Sequence, residues 1–416
     1  MERLFTKANS TVGGFPPHHQ KNIHKNKPMI PSNTFQMIAT TARGFEQILA
    51  DELSTLGIQN PQPSNGAVLF MADFKNAMNL CLWSRIANKF EILLAESHVL
   101  NENDIYELGR KIPLEPWFAP TSTFRIHAHV NDQKFNNSVF LSLKLKDGLV
   151  DHMRDAWHQR SSVDTQNPDI TLNLQVIQRK ASVYLELQGD PLNMRGYRKR
   201  QIQAPIRETL AAAMIQLSGW TPDRLFIDPM CGSGTFAIEA ACMATQTAPG
   251  IQRHFAFEKL PIFPQYADFW RNLRNQAKDQ SRQARKNLKT RIKAVDIDNN
   301  ALDIAQNNAQ TAGVSDLIEF SRGNILDLKP ATADIITNPP YGERITVSGL
   351  DLPEFYYQLG KHLRTFHDSS LTIISTAELL KKNMHMKPDR RISTFNGPIS
   401  CEVAHYKLGI TPKKPQ

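Results

Sequence analysis

Apolar residues fall into two interleaved patterns along the first half of this chain. Runs at 35–40, 66–70 and 90–94 read as strands. Between them apolar positions recur at helical spacing, as in Ile48, Leu49, Leu53 and Leu56, or Ala77, Leu80, Leu82 and Trp83. This alternation predicts a small α+β layer of ferredoxin-like type. Residues 123–130 alternate with period two, as a half-buried strand does, and put His127 and His129 on one face. A helix with Val139, Leu143, Leu149 and Val150 as its apolar positions comes next and carries Lys144 and Lys146. A strand pair over 170–176 and 181–187 closes this half.

The second half repeats strand and helix. Strands are expected at 225–228, 292–298, 317–320, 333–337 and 371–375, with a hairpin over 391–395 and 401–408 that turns at Asn396-Gly397-Pro398. Helices are marked by Leu210, Met214 and Leu217, by 237–241, by Leu302, Ala305 and Ala309 up to Gly313, and by Phe355, Leu359 and Leu363. A charged helix is expected over about 270–289, most of it a solvated face. The expected class is α/β with an open sheet, whose ligands bind at the carboxyl ends of the strands.

One such strand end carries Asn338-Pro339-Pro340-Tyr341. Two prolines donate no backbone hydrogen bond and hold an extended turn. Their carbonyls and the asparagine amide oxygen are then free to point into a cleft as acceptors, with an aromatic ring beside them. That set suits a flat base bearing an exocyclic amine, although the same string also serves as an ordinary turn. Upstream, residues 225–236 read as strand, glycine turn and helix, with Asp228, Met230, Gly232 and Gly234 in the turn. Glycines let backbone approach a ligand at a helix start. No Gly-Lys-Ser/Thr follows and an acid is present, so a cationic cofactor fits better than a phosphate. Asp296, at the next strand end, can accept two hydrogen bonds from a ribose diol. Asp298 can share that role or cap the following helix.

Charge and cysteine usage narrow the partners. The net charge of +9 favours a polyanion. Arg195, Arg198, Lys199 and Arg200 form a basic run around Tyr197, which can hold phosphates while the ring stacks on a base; a solvated linker is the competing reading. The four cysteines form no CxxC pair and no ligand cluster, so reduced thiols in a cytoplasmic protein are expected, with no metal. No run is apolar and long enough to span a membrane. Residues 1–33 are basic and polar, lack the apolar stretch of a secretory signal, and read as a disordered tail.

The Asp228–Gly234 and Asn338–Tyr341 stretches together resemble the class I S-adenosylmethionine-dependent methyltransferases of the amino-methylating type. The segments around Val163-Asp164, Asn167-Pro168-Asp169-Ile170 and 189–198 resemble the end of a THUMP domain, an RNA-binding module. The Phe255-Ala256-Phe257-Glu258 insertion and Gly342-Glu343-Arg344 are similar to those of rRNA guanine-N2 methyltransferases. Beyond its tail the whole chain resembles the RlmL-type 23S rRNA guanine-N2 methyltransferases in their unfused form. The resemblance implies a Rossmann-like seven-stranded sheet with a reversed last strand, preceded by a ferredoxin-like and THUMP RNA-binding region. It implies S-adenosylmethionine as cofactor and 23S rRNA as partner. Asp228, Met230, Gly232, Gly234, Asp296 and Ile297 are implied to hold the cofactor, with Asn324 on the adenine amine and Ile325 against the adenine ring. Asn338, Pro339, Pro340 and Tyr341 would do the chemistry; Arg195, Tyr197, Arg198, Lys199, Arg200, Lys144 and Lys146 would contact RNA. The expected divisions are a tail at 1–33, the RNA-binding region at 34–190, a linker at 191–204 and the methyltransferase domain at 205–416. Rivals are guanine-N2 methylation of tRNA, methylation of adenine or cytosine amines in DNA, and a non-catalytic rRNA-binding assembly factor.

Overall fold

The computed structural model describes residues 34–198, 206–286, 288–341, 346–347 and 349–409. The chain begins with β1 (Phe35–Thr40), α1 (Glu46–Thr55), β2 (Gln62–Ser64), β3 (Ala67–Ala72), α2 (Phe74–Trp83) and β4 (Lys89–His98). It continues with α3 (Glu102–Arg110), β5 (Thr123–Asn131), α4 (Ser138–Trp157), β6 (Ser162–Val163), β7 (Ile170–Ile177) and β8 (Lys180–Glu186). These strands make one eight-stranded sheet in the order β2-β3-β1-β4-β8-β7-β5-β6. The ferredoxin-like layer therefore shares a sheet with the unit that follows it, through antiparallel pairing of β4 with β8.

Helices α3 and α4 cross backbone to backbone. A Cβ on Gly148 would stand 2.0 Å from the Tyr106 carbonyl oxygen, and one on Gly109 2.4 Å from that of Leu145, so only glycine fits at either position. The buried stripe of α4 is Leu141, Leu145, Leu149, Val150 and Met153. Val139 and Leu143 do not belong to it: they are 68% and 49% exposed, on the side of α4 away from Leu141 and Leu145. His127 and His129 share an exposed strand face as expected. Among the described residues no group of three or more metal-ligating side chains comes together.

The second sheet follows α5 (Glu208–Ser218) and is built from β9 (Leu225–Asp228), α6 (Thr235–Ala244), α7 (Ala267–Lys286), β10 (Arg291–Asp296), α8 (Asn299–Ala312), β11 (Ile318–Arg322) and β12 (Asp334–Thr337). A two-residue ladder of β13 (Thr346–Val347) and β14 (Leu350–Asp351) leads to α9 (Leu352–Leu363), β15 (Ser369–Ser375), α10 (Ala377–Lys382), β16 (Arg390–Asn396) and β17 (Ile399–Leu408). The order is β11-β10-β9-β12-β15-β17-β16, seven strands, with β17 antiparallel to β15. Every residue of β12 and β15 is buried, as expected of central parallel strands covered on both faces. This is the open sheet with a reversed last strand that the sequence predicts.

The stretch between α6 and β10 joins the two halves. Phe257 packs edge-on against Phe74 of α2, with ring centroids 6.1 Å apart, and against Trp270 of α7 at 5.1 Å. The Phe257 amide donates to the Leu187 carbonyl (3.0 Å) and the Gly250 amide to that of Leu82 (3.0 Å). One apolar core therefore runs through both halves. Helix α7 buries only Trp270 and Ala277, so most of its charged surface is solvated. No helix among the described residues is long and apolar enough to cross a membrane.

Candidate active site

Four neighbouring strands deliver the candidate residues in spatial order. Along β11-β10-β9-β12, the carboxyl ends carry Asn324, Asp296, Asp228 and Asn338 in turn. Three strand spacings of about 4.8 Å put the outer two roughly 14 Å apart. That is the span of an extended nucleoside-sized ligand lying across the strand ends.

Asp228 ends β9 fully buried; the Met230 backbone amide lies against it, but neither carboxylate oxygen has a well-formed hydrogen bond. Burial pushes its carboxyl well above the usual range, the Asp296 charge pushes it further, and the Met230 amide opposes both. The turn after it is shaped by Gly232 (φ 51°) and Gly234 (φ 81°). A Cβ on Gly234 would lie 2.9 Å from that of Ala305, so α6 can start close against α8 only with glycine there. Asp296 is held by this turn: its Oδ2 accepts from the Gly232 amide (2.8 Å) and its Oδ1 from the Asp298 amide (3.0 Å). A carboxylate has lone pairs for about four hydrogen bonds, so acceptor capacity remains for two hydroxyls. Asp298 caps α8, accepting from the Asn300 amide at 2.9 Å. Ile297 is 51% exposed beside Asp296, and Met230 is half-buried.

On the next strand Asn324 and Ile325 stand in different settings. Asn324 Oδ1 accepts from the Leu326 amide (3.1 Å) and caps the short turn Ile325–Asp327. Ile325 is 2% exposed and packs in the same apolar cluster as Phe355 and Leu359 of α9. A side chain so covered leaves little surface for an adenine ring.

The Asn338–Tyr341 turn is pinned at one end and open at the other. Asn338 Oδ1 is buried without a partner. Pro339 is buried. The Pro340 carbonyl does not point into the cleft as expected: it accepts from the Tyr356 hydroxyl of α9 (3.2 Å), which lies 2.6 Å from the Ser375 hydroxyl. Tyr341 is half-buried, and its hydroxyl accepts from Asn396 Nδ2 of the C-terminal hairpin at 2.6 Å. Nothing in the motif points to that tether, 55 residues away; the Asn-Gly-Pro turn was legible, its target was not. Gly342, Glu343 and Arg344 lie outside the described residues.

The basic run near Tyr197 is a correction. Arg195 and Tyr197 are 5% and 4% exposed. The Tyr197 hydroxyl donates to Glu239 Oε1 of α6 (3.0 Å), and Arg195 Nε lies 3.7 Å from the same carboxylate. Arg195 also donates to the Leu192 carbonyl (2.7 Å) and to that of Arg85, on the loop after α2. Arg198 pairs with Glu208 (2.8 Å) and donates to Thr235 Oγ1 (2.9 Å) at the start of α6. These groups face inward because the linker runs between the two halves, where buried charge needs charge nearby. Lys199 and Arg200 lie outside the described residues, as do 1–33. Lys144 lies over the Phe140 ring, 5.7 Å from its centroid, and Lys146 pairs with Asp147 at 2.8 Å.

Three family models match successive parts of the chain. Residues 195–405 match the RMKL-like methyltransferase domain, residues 36–89 the RlmL ferredoxin-like domain and residues 100–186 the THUMP domain. The ribosomal RNA large subunit methyltransferase K/L of Psychromonas ingrahamii is 39% identical over 381 residues, covering 90% of this chain and 50% of the relative. That of Photobacterium profundum is 35% identical over 379 residues, covering 90% and 53%. The chain spans about half the length of the curated relatives it matches. Among solved structures, SMU.472, assigned as a methyltransferase and complexed with SAH, superposes with a TM-score of 0.82 at 28% identity, covering 91% of this chain and 99% of that one.

Proposed function

This chain belongs to the family of RMKL-like methyltransferase domains, and from that premise we propose that it is an S-adenosylmethionine-dependent RNA methyltransferase acting on the exocyclic N2 amine of a guanine in 23S rRNA. The observation that carries this reading is the pair of buried, unpartnered acceptors, Asp228 and Asn338, at the ends of adjacent parallel strands. Unpartnered buried polar atoms are costly in a folded chain, so such a pair points to a ligand. The relatives' names support ribosomal RNA as the substrate, and the THUMP match supports RNA over DNA.

The cofactor fits the residues present. S-adenosylmethionine, when bound, supplies a methyl group on a positively charged sulfur. A buried carboxylate facing a cation has its ionised form restored, which accounts for Asp228 standing without a well-formed hydrogen bond. Asp296, fixed by the glycine turn, would take the ribose hydroxyls; Gly232, Gly234, Met230 and Ile297 would form the surrounding wall, and Asn324 would hold the adenine end. Asn338 Oδ1, with the Pro339 carbonyl, accepts the N–H bonds of the base amine and draws the nitrogen from planar toward tetrahedral geometry. Its lone pair, delocalised into the base, becomes available for attack. Tyr341 stacks on the base and aligns it. Positioning of this kind accounts for most of the acceleration, since effective molarities reach about 10⁵ M or more. No general base is needed beforehand, because the proton becomes acidic once the nitrogen is alkylated. A paired guanine must first be flipped out, at roughly a few kcal/mol.

We assign 34–190 to RNA binding, 191–204 to the junction and 205–416 to chemistry, in the cytoplasm, where the RNA is made. Lys144 and Lys146 contribute to the RNA surface. The test is calorimetric titration with S-adenosylmethionine, then mapping of methylated guanines in RNA from a deletion strain. Binding and one lost methyl-guanine in 23S rRNA are expected. Absence of binding would reduce the chain to an RNA-binding assembly factor, and a lost mark in tRNA would move the substrate.

A further inference from the structure

We infer that Asn396, at the tip of the C-terminal hairpin, is a positioning residue that holds the Tyr341 ring in register with the bound base. The inference rests on the function proposed above and adds a part to its site. A tyrosine ring has two soft torsions, and packing along its face fixes only part of that freedom. Tyr341 is half-buried against the main core, and its far end is caught by Asn396 Nδ2 at 2.6 Å.

The arm that carries Asn396 is anchored in the second sheet. β17 pairs with β15 over seven residue pairs, from Ser369 opposite Leu408 to Ser375 opposite Glu402. β16 pairs with β17 over seven more, ending at Asn396 opposite Ile399. Gly397, with φ 61°, makes the reversal. Thr394 and Cys401, two cross-strand pairs behind Asn396 and Ile399, are 1% and 3% exposed, so the hairpin is packed up to that pair. Burial raises the Tyr341 phenol well out of its usual range, which favours the neutral hydroxyl. The bond from Asn396 is then a fixed neutral contact. Pro340 is held by Tyr356 and Tyr341 by Asn396, and neither anchor uses Asn338 Oδ1, whose acceptor stays free. A stacking platform secured at its tip keeps the amine in attack geometry; one that swings does not.

The test is single-turnover methylation of an rRNA fragment by the full chain and its variants, with S-adenosylmethionine affinity and thermal melts on the same samples. Asn396→Ala should lower the rate about tenfold, the size of one lost neutral hydrogen bond, with cofactor affinity unchanged. Tyr341→Phe removes the same bond from its other end, together with the hydroxyl's contact with the Cys401 thiol, and should cost at least that factor. The double variant should cost no more than Tyr341→Phe alone, as members of one contact behave. Asn396→Asp, which accepts from the phenol instead, should restore most of the rate. A parental rate in Asn396→Ala, or additive losses in the double variant, overturns the positioning role while leaving the function intact. A parent chain that methylates no RNA overturns both. If Asn396→Ala does not fold, Tyr341→Phe and Asn396→Asp read the same bond.

Discussion

Around helix α6 two sets of buried polar groups stand close together and differ in what they bond. Before the helix, neither Asp228 oxygen has a well-formed hydrogen bond, and across the strand ends Asn338 Oδ1 has none. On the helix, Glu239 takes a hydroxyl from Tyr197 and the charge of Arg195, while Arg198 is spent on Glu208 and Thr235. Sequence alone offers Asp228 and Asn338 to ligands, and Arg195, Tyr197 and Arg198 to RNA or to a solvated linker. The difference lies in where the hydrogen bonds go. A polar group answered by the protein supports the fold, whereas one left unanswered in the interior waits for something to bind.

The largest effect that can break this comparison lies at the junction. Removing Glu239 leaves Arg195 buried without its carboxylate, so Glu239→Ala should destabilise the chain by about 3–5 kcal/mol. Denaturant unfolding checks this. A variant that melts like the parent but loses RNA affinity would return the cluster to ligand binding. Next is Asp296→Ala, which removes a charged acceptor for the ribose and should weaken S-adenosylmethionine by about 1.5–3 kcal/mol; calorimetry showing parental affinity would remove Asp296 from the pocket.

A smaller effect concerns protons. Asp228 has a folded pKa raised by burial and by Asp296. A raised group binds more protons folded than unfolded, so its contribution to stability is complete below its unfolded pKa and is lost as pH rises through the folded one. A cationic ligand reverses that preference. Cofactor binding should therefore release a proton below the folded pKa, and affinity should rise with pH in that range. Calorimetry in buffers of different ionisation enthalpy should detect the proton, and Asp228→Asn should abolish it; a buffer-independent heat in the parent would contradict the assignment. The smallest effect belongs to α4. If Lys144 and Lys146 face phosphates, removing each should weaken RNA binding evenly across sequences and lower the salt slope by about 1. An unchanged slope would take α4 out of the RNA surface.

Much of the catalytic half was readable from the chain, because central parallel strands appear as short apolar runs and each ends in a residue with distinct chemistry. The order of Asn324, Asp296, Asp228 and Asn338 across the sheet follows from those strands once the topology is known. Other features were hidden for physical reasons. Alternation gives the face of a strand and not its neighbour, so the joining of β4 to β8 was not visible. Arg195 and Tyr197 read as a solvent-facing run because one-dimensional sequence cannot show that another domain closes over them. Phe255 and Phe257 were legible as an insertion, while their role in joining the halves needed Phe74 and Trp270 in place. The Asn396 tether and the Tyr356 bond to Pro340 are long-range contacts of ordinary residues, which no local pattern marks.

The most direct test of the account is single-turnover methylation of guanine-containing rRNA by Asn338→Ala. The substitution removes an acceptor that matters most as the amine becomes tetrahedral. Losing one preorganised partner of this kind costs roughly 10²–10³ in rate. The account predicts a loss of that order, with S-adenosylmethionine affinity and melting temperature close to the parent's. A folded Asn338→Ala protein that methylates at the parental rate would contradict it, since the turn after β12 would then not be the catalytic centre.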